Sequence, residues 1–262
     1  MGLIKTISLF LLLLLPTTGA CEAMLPLRSH TTDEGLVFNE VTCGFQDDGG
    51  YLWFGTYAGL SRFDGRSFRN FTEKNSGLGG AIIRDIEEDA FGGIWVAYTG
   101  GIGRFQNGHF DNYTPKEGLL GENVIDLWPD PEKGMWVLSG EGVSYFDPDT
   151  GAFSRVYPLE GVEVSYFSSF LTGSPKGDVY AVTKFGLHHL APGAAEFDSL
   201  FQLSGMIISI DYSAAEQALY LLTPAHIYRY KNGRVTTAAD NPLTSDLIDF
   251  YIGGDQSGLD VA

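Results

Sequence analysis

Few residues in this chain have types and spacings that could do chemistry, and most of those have a simpler use. His188 and His189 are adjacent. On a strand, adjacent side chains point to opposite faces, so the two imidazoles cannot easily share one ion. Asp47-Asp48-Gly49-Gly50 and Asp147-Pro148-Asp149-Thr150-Gly151 offer carboxylates of the kind calcium takes. Neither has the alternating ligand spacing of a calcium loop, and Asp with Gly is ordinary turn chemistry. Cys43 is expected to be a small buried hydrophobe, neither ligand nor nucleophile. No local signature picks out a carboxylate pair or a nucleophile with its base, and no cofactor or metal is expected. What remains is recognition chemistry. Tyr57, Tyr98, Glu141, Lys184 and His226 offer hydroxyls, charge and an imidazole in short turn segments.

The element that positions these five is a repeat. Trp53, Trp95, Trp136, Tyr180 and Tyr220 recur at a period of roughly forty residues. Each tryptophan follows a Gly-containing turn: Asp47-Asp48-Gly49-Gly50, Asp89-Ala90-Phe91-Gly92-Gly93 and Lys133-Gly134. Three residues after each anchor stands a hydroxyl: Thr56, Tyr98, Ser139, Thr183, Thr223. Six after it come Gly59, Gly101, Gly142, Gly186 and then His226. Ten after it come Phe63, Phe105, Phe146, Leu190 and Tyr230. The spacing predicts β-hairpins, with a positive φ at the recurring glycine and at His226 in its place. Second turns follow at Asp64-Gly65, Asn107-Gly108, Asp147 to Gly151, Pro192-Gly193 and Asn232-Gly233. Strands carry apolar residues on both parities, as sheets buried on both faces require. The fold class is therefore an all-β propeller of four-stranded blades over residues 25–262. Asn70-Phe71-Thr72 and Asn112-Tyr113-Thr114 match a glycosylation acceptor, but they occupy equivalent repeat positions, which explains them equally well.

Five blades are complete in sequence, and residues 247–262 read as the start of a sixth. Leu27 to Thr31 reads as an outermost strand without its own inner three, so the expectation is a seven-bladed ring cut short.

The formal net charge is −17 over 262 residues, with 44% hydrophobic residues. Such acidity argues against nucleic acid or an anionic membrane surface as partner. Residues 1–20 read as a signal peptide: Lys5, an apolar run from Ile7 to Leu15, then the small-residue exit Pro16 to Ala20. The run is short for a spanning helix, although an uncleaved anchor stays open. Gly19-Ala20-Cys21 resembles a lipoprotein box with Thr18 in place of the usual aliphatic residue, which makes Cys21 a candidate for lipidation.

Glu34-Gly35-Leu36, Asp47 to Thr56 and Gly59-Leu60-Ser61-Arg62-Phe63-Asp64-Gly65 resemble the two-component regulator propeller repeat. The resemblance is specific in blades one and two, fair in the third and degenerate in the fourth and fifth. It implies the exported, periplasmic sensor region of a bacterial signalling protein. A histidine kinase or diguanylate cyclase output domain would lie beyond a membrane span that this chain does not supply. The expected partner is a small molecule, glycan or peptide, met by Tyr57, Tyr98, Glu141, Lys184 and His226 at one mouth of the ring. A propeller-fold lyase or glycosidase acting on polysaccharide, or a protein-binding scaffold, are the alternatives, since fold alone does not decide function.

Overall fold

Every blade begins as a meander whose strands pair only with their sequence neighbours. A computed structural model describes residues 29–131, 134–162, 170–202 and 207–240. The expected signal peptide, Cys21 and the partial blade at 247–262 lie outside the described residues.

The first blade comprises β1 (Val41–Gln46), β2 (Leu52–Thr56), β3 (Gly59–Phe63) and β4 (Phe68–Phe71). The second comprises β5 (Ile83–Glu88), β6 (Ile94–Tyr98), β7 (Gly101–Gln106) and β8 (His109–Tyr113). The third is β9 (Val124–Pro129), β10 (Met135–Ser139), β11 (Gly142–Asp147) and β12 (Ala152–Pro158). The fourth is β13 (Phe170–Gly173), β14 (Val179–Thr183), β15 (Gly186–Leu190) and β16 (Asp198–Phe201). The fifth is β17 (Ser209–Ser213), β18 (Ala218–Leu222), β19 (His226–Lys231) and β20 (Arg234–Asp240). All pairs are antiparallel, giving five four-stranded sheets in sequence order. The first strands line up side by side, β1 next to β5, then β9, β13 and β17. That is the inner wall of a propeller.

The anchor aromatics explain how blades join. Along β6, Ile94, Val96 and Tyr98 pack back against Trp53 and Phe71 of the first blade. Trp95 and Ala97 point the other way, into Leu127, Met135 and Val137 of the third. Trp136 repeats the move against Leu171 and Val179, and Tyr180 against Ile207 and Leu219. A period of two buried on both sides yields the continuous apolar strands. Strands β10 and β14 are buried at every residue. Strand β19 is only half-buried throughout, because no further described blade covers it.

The turns follow their sequences, with one correction. Asn107-Gly108 and Asn232-Gly233 hold positive φ at both central residues, as tight hairpins demand. His226 does not take the positive φ expected in the glycine slot. Instead Thr223-Pro224-Ala225-His226 closes with a Thr223 N–H to His226 carbonyl bond of 3.0 Å. Pro224 presets the turn, so no left-handed residue is needed.

Each of the first three blades is entered through a single helical turn. Thr31, Thr72 and Thr114 each open one, closed by Glu34, Asn75 and Glu117 bonding back to the threonine N–H. Gly35, Gly77 and Gly118 then reverse the chain at positive φ, and Leu36, Leu78 and Leu119 drop into the core.

Candidate functional site

The hairpin tips between second and third strands share one face with the connections that enter the next blade. Gly100 donates its N–H to the Glu122 carbonyl at 2.9 Å, Leu159 to Glu141 at 3.1 Å, and Lys184 to Gly161 at 3.0 Å. The recurring hydroxyl braces each tip from below. Thr56 donates to the Gly59 carbonyl at 2.8 Å and accepts the Ala58 N–H, while Thr183 accepts the Phe185 N–H. On this frame Tyr57, Glu141 and Lys184 are exposed, with the Lys184 ammonium 5.3 Å from the Phe185 ring centroid. His226 is half-buried, its ring 5.7 Å from that of Tyr228.

Tyr98 stands apart from these four. It occupies the hydroxyl register, so its ring turns inward and is 1% exposed. The phenol oxygen lies 2.9 Å from both the Ile102 carbonyl and Asn112 Oδ1, between which its single proton is shared. Burial, with a smaller push from the Glu117 charge, raises the phenol well above its ordinary pKa. Asn112 in turn donates to the Gly77 carbonyl at 2.7 Å, and Asn70 does the same for Gly35 at 2.9 Å. The two asparagines of the glycosylation-like triplets thus pin each blade to its incoming connection.

A second set of polar groups lines the inner wall, and sequence reasoning missed it. Asp85 and Asp126 occupy the same register, ten residues before their anchors. Asp85 Oδ2 accepts the Leu127 N–H at 2.8 Å, and Asp126 Oδ2 accepts the Leu171 N–H at 2.7 Å. Each carboxyl therefore ties its own inner strand to the next one. Thr42 starts the series by donating to the Ile83 carbonyl at 2.7 Å. The two carboxyls also stand beside one another, and each influences the other's protonation. Enclosure by neighbouring strands raises both pKa values, Asp126 the more so because Asp85 is beside it. Burial and the Asp85 charge push Glu87 up to about 8. Burial, reinforced by Asp85, pushes the Cys43 thiol up to about 12, so it is no thiolate nucleophile. The repeat register was the available signal for the pair, since identical offsets in successive blades stack on the wall.

The acidic turns have a third role. Asp47 Oδ2 accepts the Trp53 indole N–H at 2.7 Å while its Oδ1 takes the Tyr51 N–H. Asp89 and Asp130 hold Trp95 and Trp136 in the same way, at 2.7 and 3.0 Å. The degenerate blades carry Ser174 and Ala214 at that register and use a different acid. Asp178 bonds His189, which stacks on Tyr180, and Glu216 accepts the Tyr220 hydroxyl. His188 turns to the opposite face and meets Thr183 Oγ1 at 2.9 Å. Among the described residues no group of three or more His, Cys, Asp or Glu is placed to hold a metal ion.

No family model matches the chain, and no curated protein matches it. Solved structures do. The extracellular domain of a B. thetaiotaomicron chain assigned to a one component system superposes with a TM-score of 0.63 at 16% identity, over 78% of this chain. The extracellular domain of a B. thetaiotaomicron hybrid two component system gives 0.50 at 19% identity, over 82%. This chain spans only 32% and 36% of those two. Virginiamycin B lyase from Staphylococcus aureus gives 0.61 at 15% identity, over 78% of this chain and 71% of the lyase. At such identities the likeness is one of fold alone, shared by extracellular domains of signalling systems and by a lyase.

Proposed function

We propose that the chain is a ligand-sensing propeller of an exported bacterial signalling protein, with the ligand bound at the rim. The observation that carries this reading is a division of labour. Asp85 and Asp126 spend carboxyl oxygens on the next blade's N–H groups, whereas Tyr57, Glu141 and Lys184 stand in solvent on braced tips. Variable polar tips on a rigid frame suit recognition of a small molecule, glycan or peptide. His226 adds an imidazole to the same rim, and Tyr98 stiffens it from below. Fold likeness to extracellular domains of signalling chains supports export and an output domain elsewhere in the full-length protein. Export by residues 1–20, with or without lipid on Cys21, is read by mass spectrometry of the mature N-terminus; an intact Met1 in the cytoplasm overturns it.

The test is a thermal-shift screen with glycans and peptides, since a ligand that prefers the folded state raises Tm. One specific observation favours a second reading. Two adjacent carboxyls with raised pKa values suit acid–base catalysis, and the fold is similar to that of a lyase as well. Polysaccharide turnover that disappears in Asp85→Asn or Asp126→Asn would establish the enzyme and end the sensor-only reading.

A further inference from the structure

On the face opposite the rim, a groove of about 200 Å³ opens between the third and fourth blades. Its floor is the Trp136 and Tyr145 rings, whose centroids lie 4.7 Å apart. The Arg155 guanidinium lies over Tyr145 at 3.9 Å and within 4.9 Å of Trp136, and it also bonds the Tyr145 hydroxyl. A guanidinium has five N–H donors, so others remain for an oxyanion. Across the groove stands Lys176, at the tip of the fourth blade's first turn, next to Pro175 and Gly177.

The second and fifth blades supply the contrast; in the first, Arg62 lies over Tyr51 at 4.3 Å and Trp53 at 5.5 Å. Arg104 in the second blade also lies over its anchor, but Asp89 consumes it at 2.7 Å. Arg229 in the fifth is paired with Glu216. Among the described residues no carboxylate stands within ion-pair distance of Arg155 or Lys176. Lys176 is also singular in its register. Four residues before the anchor, the other blades carry Gly49, Phe91, Glu132 and Glu216. Asp130 is the groove's one acid, and its Oδ2 faces the Trp136 indole N–H. Asp178, whose charge Lys176 also stabilises, is itself bound by Ser174 and His189, so within the groove two cations face one carboxylate.

We propose that this groove is an anion site that binds a single carboxylate on a compact frame, gripped by Arg155 and Lys176. The volume decides the size. It lies below the range of about 300–1,000 Å³ that holds drug-sized ligands, so one ring or a chain end fits and a larger molecule does not. The chemistry decides the group, because a planar guanidinium matches a carboxylate bidentately. Pro131, Pro175 and Pro192 stiffen the walls and lower the ordering cost of binding. The site is separate from the rim, so its failure leaves the rim reading intact.

The probe is benzoate, with benzamide as its neutral isostere, titrated into the purified chain and followed by backbone amide NMR. Benzoate at millimolar concentrations is expected to shift the Lys176, Gly177 and Gly193 amides, and benzamide is not. Arg155→Gln and Lys176→Gln should each weaken benzoate by about tenfold, as the loss of a charge-assisted hydrogen bond implies. Lys176 is exposed at a turn tip, so its variant keeps the fold if Arg155→Gln loosens the stack. A tripeptide with a free carboxyl terminus, set against its C-terminal amide, distinguishes sources. Preference for benzoate assigns free acids, and preference for the free-acid tripeptide assigns chain ends. Equal response to benzoate and benzamide, or Lys176→Gln binding benzoate as the parent does, overturns the site.

Discussion

Asp85 and Asp126 stand beside one another on the inner wall, and each carboxyl accepts a backbone N–H from the blade that follows it. Three successive blades are thereby joined through two carboxyls whose pKa values burial raises. Cys43 from β1, Glu87 from β5 and Asp126 from β9 are the titratable groups around Asp85. None is a cation, and burial outweighs the hydrogen bonds from Asp126 and from the Leu127 and Ile86 N–H groups that favour the ionised form.

A pH dependence of stability follows, with a sign opposite to that of salt-bridged acids. The folded pKa values of Asp85, Asp126 and Glu87 are raised above the unfolded range near about 4. Their contribution is full below that range and is lost as pH climbs toward about 8, where Glu87 titrates. Asp178 works oppositely and only in acid. Burial pushes it up, but Ser174, His189 and Lys176 outweigh that and hold it low. Tm should therefore fall between pH 5 and pH 8.5. Asp126→Asn keeps an oxygen for Leu171 and a donor for Asp85, so it should flatten the slope and raise Tm at pH 8. A Tm that climbs over the same interval would contradict the raised pKa values.

The anchor clasps should differ in weight according to burial. Asp89 is nearly inaccessible and holds the Phe91 and Gly93 N–H groups, the Trp95 indole and Arg104 together. Asp89→Ala leaves a half-buried guanidinium and three donors without their acceptor, a loss of about 3 kcal/mol. Asp47 is half-buried and holds two donors, so Asp47→Ala should cost about 1–3 kcal/mol. Urea denaturation of both variants measures the difference, and equal costs would show that the clasp is not what stabilises the second blade.

Whatever repeats locally was legible in the sequence. Anchors, turn glycines and the bracing hydroxyls each act within one hairpin, where spacing along the chain equals spacing in the sheet. The inner-wall carboxyls were not legible, because Asp85 meets Asp126 only when two blades stand side by side. Tyr98 misled for a related reason. Its phenol fills the slot of Thr56 and Thr183, yet a ring long enough to reach Asn112 folds inward to do so. His226 was read from its neighbours' glycines, and Pro224 had already supplied another turn.

The turn glycines separate backbone strain from crowding. Gly50 has φ +84° and open space where a Cβ would stand, so Gly50→Ala should cost only the left-handed penalty of about 1–2 kcal/mol. Gly59 has φ +131°, and a Cβ there would lie 2.5 Å from the Phe71 carbonyl oxygen. Gly59→Ala must therefore displace the β4 backbone as well, and should cost more than about 2 kcal/mol. Chemical denaturation of the two variants side by side checks the order. The reverse order would mean that the tip relaxes freely and that its frame is not rigid.

That frame is what the rim reading needs, and Tyr98 against its neighbours tests it. Tyr57, Glu141 and Lys184 reach into solvent, so Tyr57→Ala, Glu141→Gln and Lys184→Gln should each move stability by no more than about 0.5 kcal/mol. Tyr98→Phe leaves Asn112 Oδ1 and the Ile102 carbonyl without their shared donor and should cost about 1–2 kcal/mol. Ligand response should run the other way. With any compound that raises Tm in the screen, at least one of the three tip variants should abolish the rise, because those side chains make the contact. Tyr98→Phe should preserve it, starting from a lower baseline, because its ring never reaches the ligand. Should all three tip variants respond like the parent, the ligand sits elsewhere on the propeller and the rim is only a set of solvated turns.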